Sequence, residues 1–224
     1  MAIDKRIASA AEQLKTIKDG ATVMLSGFGG SGFANSLILA LRDAGPRELT
    51  IVANSATHPL ARTQVLIEAK LVRKVICSAA RGRGAELSPF EAQWKAGIIE
   101  LEVLPQGTFA ERIRAGGAGI PAFYTPAAVG TDLAKGKEIR RFNGRDYVLE
   151  TAIEADLALI RGDHADRFGN LTYRGSQANF GPAMATAAKL VIAEVATAGA
   201  EAIPPGQVAL AGVFVDYVVA IGGR

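Results

Sequence analysis

The sequence predicts an α/β protein: an open, mostly parallel sheet with helices on both faces and a small β-hairpin excursion. Three observations carry this prediction. Apolar runs rich in β-branched residues alternate with amphipathic stretches of helical spacing through the first half of the chain. The first such run, Ala21-Thr22-Val23-Met24-Leu25, leads through a glycine-rich loop straight into a helical pattern. No internal repeat and no linker-like segment divides the chain, so residues 1–224 are expected to form one domain.

Ile3, Ile7, Ala11, Leu14 and Ile17 fall at helical spacing and predict a helix over 4–18. Strands are expected near 21–26, 49–53, 73–78 and 99–104, with amphipathic helices at 35–44, 58–70, 86–96 and 107–115 between and after them. The 35–44 segment puts Leu37, Ile38 and Leu41 on one face and stops at Gly45-Pro46. From Gly116 to Gly136 the rhythm breaks, and Gly116-Gly117-Ala118-Gly119 reads as the start of a long, ordered loop. Ile139–Phe142 and Asp146–Leu149 flank Asn143-Gly144, the signature of a two-residue hairpin turn. Further strands are expected at Leu157–Ile160, Asn170–Tyr173, Leu190–Val195 and Val213–Val215.

Hydrophobic residues make up 49% and charged residues 21% of the 224, the balance of a chain able to bury a sizeable core. Basic and acidic residues are interleaved to a net charge of +3, and aromatics are only 6%, which argues against a nucleic-acid surface. The one dense basic spot, Arg81-Gly82-Arg83-Gly84, reads as a solvated turn. A single cysteine, Cys77, rules out an internal disulfide and fits a reducing compartment. No stretch approaches the roughly 20 apolar residues of a membrane span, and the charged N-terminus lacks a signal-peptide core, so a cytoplasmic location is expected.

In an open parallel sheet the loops at the carboxyl ends of the strands build the site. These loops are Ser26–Phe33, Asn54–Pro59 and Pro105-Gln106-Gly107. Strand, glycine loop and helix together can bring backbone N–H groups and a helix N-terminus to an anion. Gly27-x-Gly29-x-x-Gly32 also spells the dinucleotide fingerprint. That fingerprint asks for an acid about 20 residues on, at the end of the second strand. Here the second strand ends in Asn54-Ser55, which leaves a dinucleotide only a weak ribose ligand. A tight turn with no ligand remains the plain alternative.

Reactive groups are scarce. His58 and His164 are the only histidines, neither stands at metal-ligand spacing from another, and no Gly-x-Ser-x-Gly elbow is present. No metal is expected. Asn54, Ser55, Gln106, Thr108, Tyr124 and Thr125 can orient a carboxylate or carbonyl without titrating. The chain reads as half of a site, with holders and no nucleophile.

The run from Leu104-Pro105-Gln106-Gly107-Thr108 through Arg114-Ala115-Gly116-Gly117-Ala118-Gly119 to Phe123-Tyr124-Thr125-Pro126 closely resembles the alpha-type (A-type) subunit of class I, 3-oxoacid-type coenzyme A transferases. So do Arg141-Phe142-Asn143-Gly144, Ala155-Asp156-Leu157-Ala158-Leu159, Gly169-Asn170-Leu171 and Asn179-Phe180-Gly181-Pro182, spread over nearly the whole chain. The resemblance implies a CoA thioester as substrate, with no permanently bound cofactor. It also implies that the nucleophilic glutamate, in a Ser-Glu-Asn-Gly type motif absent here, belongs to a companion B subunit, in an A2B2 or similar complex. A covalent glutamyl-CoA intermediate splits a hard transfer into two easier ones and gives ping-pong kinetics.

By the same resemblance, Ser26, Gly27, Phe28, Gly29, Gly30, Ser31 and Gly32 form the CoA-binding loop, and Asn54, Ser55, Gln106, Gly117 and Gly119 position the acid. The expected reaction moves CoA from a donor such as succinyl-CoA to 3-oxoadipate or acetoacetate. A CoA-ester hydrolase or lyase subunit on the same fold is the first alternative, and an NAD(P)-dependent oxidoreductase the second. The chain departs from the family at Ser26, Ala34 and Ser55, where the family has Gly, Pro and Asn.

Overall fold

The computed structural model describes residues 3–222. Its main sheet has eight strands, all parallel. In chain order these are β1 (Arg6–Ile7), β2 (Thr22–Leu25), β3 (Leu49–Ala53), β4 (Val72–Cys77) and β5 (Glu100–Val103). An excursion through β6 (Ala122–Thr125), β7 (Ile139–Phe142) and β8 (Arg145–Thr151) follows. The chain then re-enters the sheet at β9 (Ala155–Arg161) and, after the short β10 (His164–Ala165), at β11 (Ala188–Val195). After β12 (Thr197–Ala198) it finishes with β13 (Tyr217–Ala220).

The spatial order is β1-β13-β11-β9-β2-β3-β4-β5. From β2 the chain runs outward to one edge, and from β9, its neighbour, it runs outward to the other. The order therefore reverses between β2 and β9, and at such a switch point the loops leaving adjacent carboxyl ends diverge and open a crevice.

Alternation along each strand sorts the side chains into two layers. Val23, Leu25, Ile51, Val75, Leu157 and Ile192 pack against α1 (Ala11–Leu14), α2 (Asn35–Ala44), α3 (Thr63–Glu68) and α4 (Pro89–Lys95) through Leu14, Leu37, Ile38, Leu41, Leu66, Ile67 and Phe90. Met24, Val52, Ile76, Ala158 and Val191 face the other way, against Phe109 and Ile113 of α5 (Gln106–Gly117) and Met184 of α6 (Gly181–Thr186). Cys77 lies in the first layer, where burial pushes its thiol up to about 11 and leaves it an unreactive packing group at neutral pH.

The excursion is a three-stranded antiparallel sheet in the order β6-β8-β7. Asn143 and Gly144 both take positive φ, as the hairpin turn requires. Arg112 of α5 fixes this small sheet to the main one. It donates to the Thr151 carbonyl and to Glu102 of β5 at 2.6 Å, and lies 3.7 Å from the buried Glu150 of β8, which Lys137 also pairs at 2.5 Å. Burial pushes the Glu102 carboxyl up, but Lys74 and Arg112 outweigh it and hold it below its ordinary value.

Four local expectations need correction. The helix expected over 4–18 is a short edge strand followed by one turn of helix. Lys5 donates to the Gly212 and Val215 carbonyls and seats the Arg6–Ile7 strand beside β13, a pairing about as long-range as the chain allows. The long loop starts later than expected: α5 continues to Gly117 and β6 takes Ala122–Thr125, so the irregular stretch, with one 3₁₀ turn at Asp132–Ala134, runs only from 126 to 138. Asn170–Tyr173 makes only single bridges at Leu171, because Asn170 turns its backbone amide and its side chain to the buried Asp166 carboxylate. Val213–Val215 is not a strand either: Gly212–Phe214 forms a 3₁₀ turn and the strand is Tyr217–Ala220.

No helix among the described residues is long and apolar enough to cross a membrane. Among the same residues no group of three or more His, Cys, Asp or Glu side chains is placed to hold a metal ion.

Candidate active site

The glycine loop leaves β2 at the switch point. Phe28 and Ser31 exchange both backbone hydrogen bonds, at 3.0 and 3.1 Å, around Gly29 and Gly30, whose positive φ values (60° and 94°) suit a two-residue reversal. The tip is exposed and its base is locked. Ser26 is buried, donates its hydroxyl to the Gly32 carbonyl at 2.6 Å and accepts from the Arg161 amide at 3.1 Å, tying both ends of the loop to β9. The Ser26 departure thus supplies two hydrogen bonds that a glycine could not.

Asn179 completes the lock. Its side-chain oxygen accepts from the Gly27 amide and its nitrogen donates to the Ser31 carbonyl. A Cβ on Gly32 would lie 2.4 Å from Asn179 Nδ2 and 2.5 Å from the Gln177 carbonyl, so only glycine fits there. Beside Asn179, Phe180 packs edge-on against both Phe28 (6.2 Å between centroids) and Phe109 (5.2 Å), linking the loop tip to the first turn of α5.

The helix N-terminus behind the loop holds an anion, but one the chain supplies itself. Glu194 of β11 is 2% exposed, and its Oε2 accepts from the Ser36 and Leu37 amides at the start of α2, at 2.7 and 3.1 Å. Its Oε1 pairs with Arg161 at 2.8 Å. The expectation that this terminus meets a ligand is therefore corrected: the place a dinucleotide's pyrophosphate would take is filled by a carboxylate.

The loop forms a ridge between two cavities. One, of about 290 Å³, is lined by Phe28 and Gly29 together with Asn54, Ser55, His58, Arg81 and Arg83, among others. The other, of about 430 Å³, takes in Gly30, Ser31 and Gly32 with Asn35, Arg161 and Glu194. A cavity of about 530 Å³ lies behind the Arg81 loop between α4 and β5, and one of about 420 Å³ at the opposite rim beside Thr16–Ala21; neither touches the glycine loop.

Asn54 is buried at the carboxyl end of β3. Its Oδ1 accepts from the Ser78 hydroxyl at 2.9 Å, and among the described residues its amide nitrogen makes no hydrogen bond, leaving a donor for the cavity. Ser55 accepts from the Thr57 amide. His58 accepts from the Leu60 amide through Nδ1 and packs on the Phe33 ring at 4.9 Å. Burial, aided by the charge of Arg83, holds its pKa below the ordinary value, so it stands neutral at pH 7 with Nε2 as the donor.

Gln106 opens α5 past the end of β5, is exposed, and its amide makes no hydrogen bond among the described residues. It lines neither cavity, though Phe109, on the next turn of its helix, is tied to the loop tip through Phe180. Gly117 and Gly119 are not brought to this crevice. Gly117 ends α5 against Thr186, near the start of β9 and so at the opposite rim of the sheet, and Gly119 lies just beyond it, in the open.

Arg81, Arg83, Asn179 and Glu194 line or brace this candidate site without having been placed there by the sequence reading, whereas His58 falls in the Asn54–Pro59 loop that reading selected. The rule that selected the other carboxyl-end loops applies equally to the loop after β4, and would have found both arginines.

A parallel α/β sheet whose switch point carries a glycine ridge, amide holders and cations, with the acid beside it already committed, forms a crevice with the chemistry to suit an anionic organic molecule. Residues 7–220 match the family described as Coenzyme A transferase, and the chain belongs to that family. It is 46% identical over 222 residues to the A-type subunit of 3-oxoadipate CoA-transferase from Pseudomonas putida, covering 99% of this chain and 95% of that one. It is also 46% identical over 217 residues to the A-type subunit of succinyl-CoA:3-ketoacid coenzyme A transferase from Xanthomonas campestris pv. campestris, covering 96% and 88%. Glutaconate coenzyme A-transferase from Acidaminococcus fermentans shares the fold, with a TM-score of 0.83 at 18% identity over 97% of this chain and 76% of that one.

Proposed function

We propose that this CoA transferase chain is the A-type half of a cytoplasmic heteromeric enzyme that moves CoA from an acyl-CoA donor such as succinyl-CoA to a 3-oxo acid, 3-oxoadipate or acetoacetate. The observation that carries this reading is the chemistry of the crevice. The cavity outside β3 is lined by amide, hydroxyl, imidazole and guanidinium groups and by no carboxylate. Glu194, the buried acid in the neighbouring cavity, is held by two amides and an arginine. A transfer through a glutamyl thioester then needs its glutamate from a partner chain.

In such a reaction the partner's glutamate carboxylate attacks the donor's thioester carbonyl and releases CoA as its thiolate. The thiolate then attacks the glutamyl carbonyl of the resulting anhydride, so the donor leaves as its carboxylate carrying one glutamate oxygen and a glutamyl thioester remains. The thioester so formed gives CoA to the acceptor acid and regenerates the free glutamate. No water takes part, and excluding it prevents loss of the thioester by hydrolysis. The glycine ridge gives the thioester close access to backbone, and Asn54 and Ser55 orient the acid. Gln106, which lines neither cavity of this chain, would meet the acid from the start of α5 only in the assembled enzyme, and Gly27 to Gly32 would guide the thioester.

The test is Gln106→Ala in the assembled two-subunit enzyme. Because Gln106 is exposed and its side chain unbonded, truncation should change stability by no more than about 0.5 kcal/mol. Turnover should nonetheless fall roughly 10- to 100-fold through loss of a positioned donor. Full turnover with an unchanged unfolding temperature would remove Gln106 from the site.

A further inference from the structure

The two arginines of the loop after β4 have no task in the reaction as described, and their placement is specific. Arg81 and Arg83 both line the 290 Å³ cavity that Asn54, Ser55, Phe28 and Gly29 also line. Neither forms an ion pair among the described residues. The backbone that presents them is held at Arg81, and Gly82 leaves no room for a side chain. Thr57 donates its hydroxyl to the Arg81 carbonyl at 2.8 Å, and a Cβ on Gly82 would come 2.9 Å from Glu91, the acid that caps α4 through Ser88. Two solvent-exposed guanidiniums, that of Arg81 also within the field of Glu91, thus line the cavity beside the amide and hydroxyl holders.

We propose that Arg81 and Arg83 select the acceptor by binding the second carboxylate of a dicarboxylic 3-oxo acid, so that the enzyme favours a diacid over a monoacid. The inference rests on the transferase reading above and adds which of its two acid classes is preferred. One carboxylate of the acid must reach the reacting thioester, and the cavity's polar end at Asn54 and Ser55 suits that end of the molecule. A diacid's far carboxylate then meets the arginines, which match its planar geometry with paired N–H donors. A monoacid leaves both guanidiniums without a partner. CoA phosphates offer similar anionic chemistry, but the cavity lies at the small end of the roughly 300–1,000 Å³ range of ligand pockets and suits a short acid rather than a nucleotide.

The experiment compares the wild-type two-subunit enzyme with an Arg81→Gln, Arg83→Gln double variant. In ping-pong kinetics kcat/KM for the acceptor reports only the half-reaction in which the acceptor takes CoA, so the donor's own carboxylate does not enter. The expected result is a fall of roughly 10- to 100-fold in kcat/KM for 3-oxoadipate and a much smaller fall for acetoacetate, as losing charge-assisted hydrogen bonds to one carboxylate predicts. Equal losses with both acids, or no loss with either, would overturn the proposal. So would a defect that disappears when 3′-dephospho-CoA replaces CoA, because the arginines would then serve a phosphate.

Calorimetric binding of adipate and hexanoate, unreactive acids that differ by one carboxylate, separates this proposal from the reaction itself. Tighter adipate binding in the wild type, abolished in the double variant, supports the arginine assignment even if CoA transfer to both 3-oxo acids is absent. Absent transfer counts against the transferase reading, and equal binding of the two acids counts against the arginines alone.

Discussion

Replacing Glu194 with alanine is expected to lower the unfolding temperature of the protein by roughly 6–20 °C, the equivalent of about 3–5 kcal/mol for breaking a buried ion pair in a chain of this size. The Glu194 carboxylate satisfies the first amides of α2 and neutralises Arg161, and it is almost fully out of water. Truncation leaves a half-buried guanidinium unpaired and two helix amides without an acceptor. Because the Arg161 amide also donates to Ser26, the disturbance reaches the base of the glycine loop. Glu194→Gln keeps an oxygen for the amides and should recover part of the loss. Thermal unfolding by circular dichroism checks both variants, and an alanine variant that melts with the wild type would show that the latch carries no load.

Gly32→Ala is expected to cut turnover by about a hundredfold, the scale of effect that a misplacement near 1 Å can produce. The added methyl would fall inside contact distance of the Asn179 amide and the Gln177 carbonyl, at a backbone φ of 79° that already disfavours alanine. Asn179 holds Gly27 and Ser31, so the whole ridge would shift. Gly45→Ala supplies the control: its φ is 76° but a Cβ there meets nothing within 4 Å, and it lies at the far end of α2. That variant should lose a little stability and no activity. Steady-state assays of both, in the two-subunit enzyme, decide whether close approach or backbone strain alone is responsible.

These two residues show where the sequence was legible and where it was not. Local signals worked where local physics decides. Leu37, Ile38 and Leu41 with the stop at Gly45 gave α2 as Asn35–Ala44, the run Leu49–Ala53 gave β3, and Asn143-Gly144 gave the hairpin. The strand–loop–helix context put the glycine loop at the carboxyl end of β2, where the structure has it. Local signals failed where a distant partner decides. Arg6–Ile7 is a strand because β13, more than 200 residues later, lies beside it, and Glu194 is a helix cap only because β11 ends over α2. Gly117 misled for a related reason. It reads as a loop residue, yet Thr186 of α6 packs so closely on it that no side chain would fit, and the glycine allows two helices to meet. Arg81 and Arg83 are exposed in a loop, as a solvated turn should be, and only the fold shows that they line a cavity with Asn54.

The central claim is that this chain holds the substrates and its partner reacts with them. Incubating the assembled complex with an acyl-CoA donor and no acceptor, trapping with hydroxylamine, and locating the adduct by mass spectrometry tests it directly. The account predicts a hydroxamate on a glutamate of the partner chain and none on this one. An adduct on Glu194 or any other residue of this chain, or CoA turnover with no trappable thioester on the partner, would contradict it.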